Sequence, residues 1–383
     1  MSKSNETTPN VPTLRFKEFS GEWEKIRLGS IIEEIKNYTS DFNKYPLYSF
    51  TIENGVTPKT DRYERNFLVT KDGDTFKIVP PNSFVMNPMN LRFGAINYSK
   101  VKIPVSVSGY YNIFEIENGK NNEFWSAYFL TKTAINLYNS VATGSLIEKK
   151  RVHFSQFIQL SFFVPSDVEK QKITRFLQLI ENRISVQNKI ISKYETLIKG
   201  IRERVVNGGW QWKRLDELIQ EGVVRLNRGN IIPKHQKDNT YKYPVYSSST
   251  QNNGLMGYND TYMFDKELIT WSIDGGGNFF YRKKHKFNVT NVCGIMQVDE
   301  NVYSYRFIEE MLTYQHSKMK FDYQSKAHPS VISSLYSLPC LPISEQNFYC
   351  QLFIALDKKM YIEQCSLNKL KEQKKYLLSK MFI

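Results

Sequence analysis

The sequence lacks the features that would place it in a membrane, outside the cell or around a metal ion. Its only cysteines, Cys293, Cys340, Cys350 and Cys365, form no Cys-x-x-Cys pair and lie near no histidine at the spacing of metal ligands. No apolar run approaches the roughly 18 residues of a membrane span, and residues 1–11 lack the apolar core of a signal peptide. We therefore expect free thiols, no metal site, no membrane partner and a cytoplasmic location.

A catalytic signature is also missing. There is no Gly-x-x-x-x-Gly-Lys-Ser/Thr loop for a nucleotide phosphate, and no pair of carboxylates with a nearby lysine stands out as a nuclease site. Residues 87–90, Asn-Pro-Met-Asn, lack the second proline and the aromatic residue of the amino-methyltransferase motif. The glycines at 275–277 predict a turn, with close approach of the backbone to a phosphate as the alternative. His153 and His328 are predicted to be structural or to face a phosphate, so we predict no catalytic residue.

What the sequence does contain is a long periodic stripe that occurs twice. Residues at alternating spacings of four and three from residue 173 to residue 205 are apolar, with Gln187 as the exception. Such a run predicts one helix of roughly 50 Å whose narrow apolar stripe needs a partner. The same rhythm returns 176 residues later, so the chain supplies that partner itself. The predicted coiled-coil seam consists of Ile173, Leu177, Ile180, Ile184, Ile191, Tyr194, Ile198, Ile201, Phe353, Leu356, Met360, Leu367, Leu370 and Leu377.

Other landmarks recur in the same order along the two halves of the chain. The matched pairs are Trp23 with Trp210, residues 44–49 with 242–247, Ile113 with Ile295, Ile116 with Val298, and residues 129–130 with 311–312. Their separations drift between 182 and 198 residues, against 176 for the periodic stripe. Two copies of one fold with different loop lengths would show this pattern.

The order of these segments predicts an α+β architecture with an internal pseudo-two-fold repeat. Domain termini usually lie close together at the surface, so the second long helix should return antiparallel to the first. The prediction is two similar globular domains, 1–165 and 208–342, joined by two long antiparallel coiled-coil helices, 166–207 and 343–383. Within the first domain the pattern is mainly β from 45 to 114, with a short helix near 31–35 and a helix at about 122–138.

The charge balance favours a polyanionic partner. The chain has 52 Lys+Arg against 38 Asp+Glu, a net charge of +14, which indicates nucleic acid first and an anionic membrane second, with a basic protein that binds neither as the alternative. Two-fold proteins read half-sites about one helical turn, roughly 34–36 Å, apart. Basic charge, duplicated domains and a helical spacer together predict binding of a split, asymmetric site in double-stranded DNA.

The predicted DNA contacts are polar and basic loop residues, because Arg and Lys bind phosphates or guanine edges and Asn can read adenine. For any single residue a solvated loop is an equal alternative. In the first copy they are Lys59, Arg62, Arg65, Asn90, Arg92, Lys149, Lys150 and Arg151. In the second copy they are Arg228, Lys234, Asn252, Asn253, Arg282, Lys283, Lys284 and Lys326.

The chain resembles the specificity subunit of type I restriction–modification systems. The resemblance is carried by the opening Val11-Pro12-x-Leu14-Arg15-Phe16-x-Glu18-Phe19 with Gly21-Glu22-Trp23, and by the entries into the long helices, Pro165 with Glu169 and Gln171, and Pro342 with Glu345 and Gln346.

This resemblance implies two target-recognition domains that each read half of a split site. It implies two modification (methyltransferase) subunits, which use S-adenosylmethionine at adenine, and two restriction (motor-nuclease) subunits, which use ATP and Mg²⁺. The chain itself would be non-catalytic and would hold no cofactor. The alternatives are a self-contained DNA methyltransferase or nuclease, and a helical-rod protein–protein adaptor.

Overall fold

The chain forms two compact units that share two long helices. A computed structural model describes residues 10–58, 75–145, 150–232, 242–249, 251–274, 276–319 and 326–383. The first unit combines Met1–Gln187 with Ser366–Ile383, and the second consists of Asn188–Cys365. Within the described ranges, no helix combines the length and apolarity that a bilayer crossing requires.

The first unit consists of short strands with small helices packed on them. Its sheets have the orders β2-β10-β7-β8, β3-β6-β9, β4-β5 and β1-β11, and all these pairs are antiparallel. The aromatic core includes Phe84 and Phe114, whose rings stack with centroids 5.4 Å apart. The strands are β1 (Glu24–Arg27), β2 (Ile32–Ile35), β3 (Tyr38–Thr39), β4 (Tyr48–Thr51), β5 (Gly55–Pro58), β6 (Phe76–Val79), β7 (Phe84–Met86), β8 (Ile96–Tyr98), β9 (Val105–Ser108), β10 (Asn112–Ile116) and β11 (Ser161–Val164). The helices are α1 (Asn122–Phe129), α2 (Lys132–Val141), α3 (Phe154–Phe157) and α4 (Asp167–Val206).

The second unit is built around one six-stranded sheet. Its order is β13-β18-β16-β17-β14-β15, with a separate pair β12-β19. Trp271 and Met296, both fully buried, lie in its core. The strands are β12 (Trp212–Arg214), β13 (Val224–Arg228), β14 (Tyr243–Tyr246), β15 (Leu255–Asn259), β16 (Phe264–Ser272), β17 (Phe279–Val289), β18 (Cys293–Val298) and β19 (Ser337–Pro339). The helices are α5 (Leu215–Gln220), α6 (Tyr305–Lys318), α7 (Pro329–Leu335) and α8 (Ile343–Met381).

The predicted internal repeat is confirmed by the strand registers. In the first unit β10 pairs with β2, with Ile113 opposite Ile35 and Ile116 opposite Ile32. In the second unit β18 pairs with β13 in the same way, with Ile295 opposite Asn227 and Val298 opposite Val224. The landmark isoleucines and valine therefore occupy equivalent positions in equivalent strands.

The Tyr-Pro landmark also has the same role in both units. Leu47, which follows Pro46, forms a parallel bridge with Ser106. Val245, which follows Pro244, pairs in parallel with Asn288. In each copy this short segment adds a parallel pairing to strands that are otherwise antiparallel, which explains why the hexapeptide recurs.

The seam positions lie on the less exposed side of α4 and α8, and each is buried or half-buried. In the first unit Ile173, Leu177 and Ile180 share a core with Leu377 and Met381. In the second unit, by itself, the C-terminal end of α4 and the N-terminal part of α8 share a core through Val205 and Cys350.

Two sets of contacts fix the direction of the helices in the first unit. Glu181 forms an ion pair with Lys374. The N-terminal segment joins Glu169 to residue 380, because Arg15 Nη2 lies 2.7 Å from Glu169 Oε2 and the Leu14 N–H donates to the Lys380 carbonyl at 2.9 Å. Increasing numbers along α4 therefore meet decreasing numbers along α8, and the two segments are antiparallel there.

Two local predictions are wrong. Residues 31–35, predicted as a helix, form the strand β2 because Ile32 and Ile35 pair with β10. The single helix predicted at 122–138 is divided into α1 and α2, because Thr131 begins a new helix and its Oγ1 accepts the Ala134 N–H at 3.2 Å. The long helices begin at Asp167 and Ile343, while the two compact units divide each helix between them; the four predicted domain ranges stay a prediction.

Candidate nucleic-acid interface

Two segments noted in the sequence are equivalent loops of the repeat. In the first unit, residues 88–94 connect β7 to β8, and the loop is closed by the Asn87 N–H, which donates to the Ala95 carbonyl at 2.9 Å. In the second unit, residues 273–277 connect β16 to β17, closed by the Ser272 N–H, which donates to the Asn278 carbonyl at 3.1 Å. The Asn-Pro-Met-Asn segment and the described glycines, Gly276 and Gly277, thus lie in two versions of one loop.

A second loop lies beside each of these. The Val152 N–H donates to the Pro88 carbonyl at 3.0 Å, and the Ala327 N–H donates to the Ile273 carbonyl at 2.9 Å. We call residues 88–94 with 150–152 the first loop pair, and residues 273–277 with 326–327 the second loop pair. Arg151 and Lys326 hold the same position in the two copies.

The two histidines begin the next helix in each unit. The His153 carbonyl accepts the Phe157 N–H at 3.0 Å, and the His328 carbonyl accepts the Ile332 N–H at 3.0 Å. Their backbone positions are equivalent, at the N-termini of α3 and α7. The structure therefore places both residues at helix N-termini beside the loop pairs.

The first loop pair gathers four of the predicted contact residues. Asn90 and Arg151 are exposed, and Lys150 is half-buried. The Arg92 Nε donates to Asn139 Oδ1 on α2 at 2.7 Å, which fixes the direction of the guanidinium. Arg151 also forms an antiparallel bridge with Thr143. These residues present cations and one amide on a single surface of the first unit.

The second unit distributes its predicted contacts over three places. Lys326 Nζ lies 3.5 Å from Asp274 Oδ1, and because both groups are exposed this pair contributes little to stability. Asn252 and Asn253 form the exposed turn between β14 and β15, with φ of 49° and 51°. Arg228 lines a separate cleft of about 410 Å³, where its Nη2 donates to the Asn291 carbonyl at 2.9 Å.

Arg282 departs from its predicted solvent-facing position. Its side chain is 5% exposed, its guanidinium carbon lies 3.7 Å from the centroid of the Tyr246 ring, and its Nε donates to Thr270 Oγ1 at 2.9 Å. Burial lowers the pKa of Arg282 to about 10. Lys283 and Lys284 are exposed beside it, so this basic run offers two cations to a ligand instead of three.

A cleft of about 760 Å³ opens between β17 and the helices α6 and α8 of the second unit, and Asn253, Lys283, Arg306 and Glu309 line it. Arg306 forms ion pairs with Glu309, Glu310 and Asp357. Burial raises the pKa of Glu309 to about 7, and the neighbouring Glu310 carboxylate adds to this rise while Arg306 opposes it. Lys283 and Asn253 lie at the same cleft, so the structure brings these two predicted contacts together.

Five predicted contacts, Lys59, Arg62, Arg65, Lys149 and Lys234, lie outside the described residues. Two residues of the first loop pair were missed from the sequence, namely Met89, which is 40% exposed, and Phe93, which is 64% exposed. The sequence did indicate them, because they are apolar residues inside a loop rich in Asn and Arg. Neither belongs to a periodic apolar pattern that would predict its burial.

Comparison with known proteins finds similarity over part of the sequence. A family model described as the type I restriction modification DNA specificity domain matches residues 207–374. A putative type I specificity subunit of Mycoplasma pneumoniae is 36% identical over 132 residues, which cover 32% of this chain and 42% of that protein. A second, the N-terminal part of another such subunit of the same organism, is 42% identical over 82 residues, covering 21% and 43%. The chain thus spans less than half the length of these relatives.

Solved structures show the same fold over almost the whole chain. The S subunit of a type I restriction–modification system from M. genitalium has a TM-score of 0.61 at 14% identity and covers 97% of this chain and 99% of its own. A structure that describes complex assembly and conformational transition of the type I system has a TM-score of 0.54 at 11% identity, covering 94% and 97%. At these identities the likeness establishes the architecture alone.

Proposed function

We propose that the chain is a type I restriction–modification DNA specificity protein and recognises a split, asymmetric site in double-stranded DNA, since residues 207–374 match the family model of that specificity domain. The observation that carries the proposal is the pair of equivalent loops with different side chains. The first loop pair presents Asn90, Arg92 and Arg151, whereas the second has Asp274, two described glycines and Lys326. One scaffold with two different reading surfaces suits two different half-sites.

The long helices support a fixed spacing between the half-sites. α4 has 40 residues and α8 has 39, which corresponds to roughly 60 Å of helix each at about 1.5 Å per residue. Each helix contributes buried positions to the core of both units. We propose that the helices act as the spacer that sets the number of base pairs between the two half-sites.

The chemistry is assigned to other subunits. The chain would be a non-catalytic reader that holds no cofactor itself. Two modification (methyltransferase) subunits would dock on the helical region and methylate adenine with S-adenosylmethionine. Two restriction (motor-nuclease) subunits would use ATP and Mg²⁺ to move along DNA and cut it. The absence of a nucleotide-binding loop and of an amino-methyltransferase motif in the sequence favours this division of labour over a self-contained enzyme.

The proposal is tested by selecting duplexes from a random-sequence library with the full chain and, separately, with the chain assembled with its modification subunits. The expected result is a consensus of two short blocks separated by a constant gap. Binding should weaken steeply with salt, because each neutralised phosphate releases counterions.

Two other results would contradict the proposal. Salt-insensitive binding without a consensus would favour an adaptor whose basic surface is incidental. Methyl transfer or cleavage that copurifies with this chain alone, given S-adenosylmethionine or Mg²⁺, would favour the self-contained enzyme.

A further inference from the structure

The first loop pair exposes an apolar tip that its counterpart lacks. Phe93 is 64% exposed and Met89 is 40% exposed. At the equivalent place in the second unit are Gly276 and Gly277, with φ of 88° and 78°. Both loops are closed by the same backbone hydrogen bond, so the difference between them lies in the side chains and in two additional residues of the first loop.

The backbone that carries Phe93 is fixed from several directions. The Phe93 and Ala95 N–H groups donate to the Asn90 carbonyl at 2.9 and 3.1 Å, and the Met89 N–H donates to Asn87 Oδ1 at 3.0 Å. Leu91, on the same turn, is fully buried and anchors it.

Gly94 closes this turn in a way that other residues would disturb. Its φ is 87°, in the left-handed region, and a Cβ at this position would lie 3.0 Å from Leu130 Cδ2. A rigid turn that holds a phenylalanine in solvent leaves the favourable free energy of burying that ring unused in the isolated chain. Such a residue is therefore available for contact with a ligand.

The surroundings of this ring indicate the ligand. The Arg92 guanidinium carbon lies 5.7 Å from the centroid of the Phe93 ring, and Arg92 is held by Asn139. Arg151, also exposed, belongs to the same loop pair through the hydrogen bond between Val152 and Pro88. An apolar tip beside a guanidinium, on a loop pair that carries a second exposed cation, matches duplex DNA, in which phosphates flank the stacked bases.

We propose that Phe93 inserts as a wedge between two neighbouring base pairs of the half-site bound by the first unit. This inference rests on the proposed function. Apolar side chains inserted in this way partly unstack a base step and kink the duplex by roughly 20–90°. Because the second loop has glycines instead, its backbone approaches the DNA without a wedge, and only one half-site is unstacked. Phe93 then selects flexible base steps through the cost of deformation, without a hydrogen bond to any base.

The test uses the full chain and duplexes of the selected split site that carry 2-aminopurine at successive positions in both halves. With the natural sequence, fluorescence should rise on binding at one step of one half-site, because 2-aminopurine brightens when it unstacks. Phe93→Ala should abolish that rise and weaken binding by roughly tenfold to a hundredfold, the scale of losing one stacking contact. Phe93→Leu, which keeps an apolar wedge, should retain most of the signal.

Ile103→Ala is the matched control, since Ile103 is an apolar side chain of the same unit, 52% exposed and outside the loop pair; it should change neither signal nor affinity. Thermal unfolding of all variants shows whether they are folded. If Phe93→Ala does not fold, Phe93→Leu still tests the wedge. An unchanged fluorescence rise in Phe93→Ala would overturn the inference. The inference would also be overturned if Phe93→Ala bound DNA normally but no longer bound the modification subunits. That result would identify the tip as a protein contact.

Failure of the natural chain to bind any duplex in a salt-dependent way would instead refute the proposed function. That result appears before any Phe93 variant is made, so the two failures are distinguishable.

Discussion

Arg282 and Lys283 are neighbours in β17 with opposite environments. Arg282 packs against Tyr246 and Thr270 and is buried, whereas Lys283 is exposed, although both line the cleft of the second unit. The pairing shifts register between Lys266 and Leu268 of β16, so that β17 has one extra residue there and Lys284 is exposed as well. The sequence shows three consecutive cations and contains no local signal for the shift, so it could not predict which of them is buried.

Substitutions of these two residues should distinguish an effect on folding stability from an effect on DNA binding. Arg282→Ala should lower the free energy of unfolding by about 2–3 kcal/mol, because it removes a desolvated cation–π contact and leaves Thr270 without its donor. Lys283→Ala should leave the unfolding midpoint unchanged and reduce the slope of log binding constant against log salt by about one. Denaturant unfolding and salt-dependent DNA binding measure the two effects. Equal loss of stability in both variants would contradict the assignment.

Glu309 gives the second unit a pH-dependent stability. Burial raises its pKa to about 7, above the pKa of roughly 4.3 in an unfolded chain. The folded state therefore binds the proton more tightly, and the stabilisation present below about pH 4 is lost as the pH rises through 7. The expected loss is about 1–3 kcal/mol, because the ion pair with Arg306 stabilises the charged form and offsets part of the cost of burial. Glu309→Gln should remove this dependence when the unfolding free energy is measured between pH 5 and 8, and an identical pH profile in the variant would exclude Glu309 as its source.

At the scale of elements, the long helices were predictable because their heptad pattern is local and is repeated 176 residues away. The loop pairs could not be predicted, since the two copies of each loop differ in sequence and the repeat does not reveal that they are equivalent. The helix expected at 31–35 shows a related limit. Ile32 and Ile35 are three residues apart, a spacing that also suits a helix, and only pairing with β10 makes them a strand.

The two long helices are fastened to their units by different chemistry at one equivalent position. Gln346 in α8 is fully buried; its Nε2 donates to the Val302 and Leu341 carbonyls at 2.8 and 2.9 Å, and its Oε1 accepts the Ser304 N–H at 3.0 Å. In α4 the same position is Lys170, whose Nζ lies 2.8 Å from Glu117 Oε1. The family resemblance was based on Gln171, which is one residue beyond the position equivalent to Gln346 and is exposed.

Gln346→Ala should therefore destabilise the second unit by about 2–4 kcal/mol, since three hydrogen bonds are lost and the buried Leu341 carbonyl loses a donor. Asn347→Ala, at the exposed neighbouring position, is the control and should change stability by less than about 0.5 kcal/mol. Chemical denaturation measures both variants. A small effect at Gln346 would mean that water or a neighbouring group replaces its hydrogen bonds.

At the scale of the whole molecule, the repeat and its two helices lead to a prediction about spacing. Removing residues 186–192 and 362–368 deletes one heptad at equivalent places and keeps the apolar rhythm. The proposed spacer then shortens by roughly 10 Å, about three base pairs. Duplex selection should return the same two blocks with a shorter gap, or no binding if rotational phase is lost. Deleting only one heptad, which mismatches the two helices, should disrupt folding; an unchanged gap in the double deletion would refute the spacer.

The N-terminal segment of the first unit has one more consequence. Leu14 bonds to the Lys380 carbonyl, Trp23 packs on Phe382 with ring centroids 6.4 Å apart, and the Tyr128 hydroxyl donates to the Ile383 carbonyl at 3.3 Å. In the second copy, Trp210 follows the end of α4 by a covalent link at residues 207–209. Contacts in the first unit therefore join the same two segments that a covalent link joins in the second unit. A circularly permuted chain that begins at Gly208, with residues 383 and 1 joined by a short linker, should keep its circular dichroism spectrum and select the same two DNA blocks.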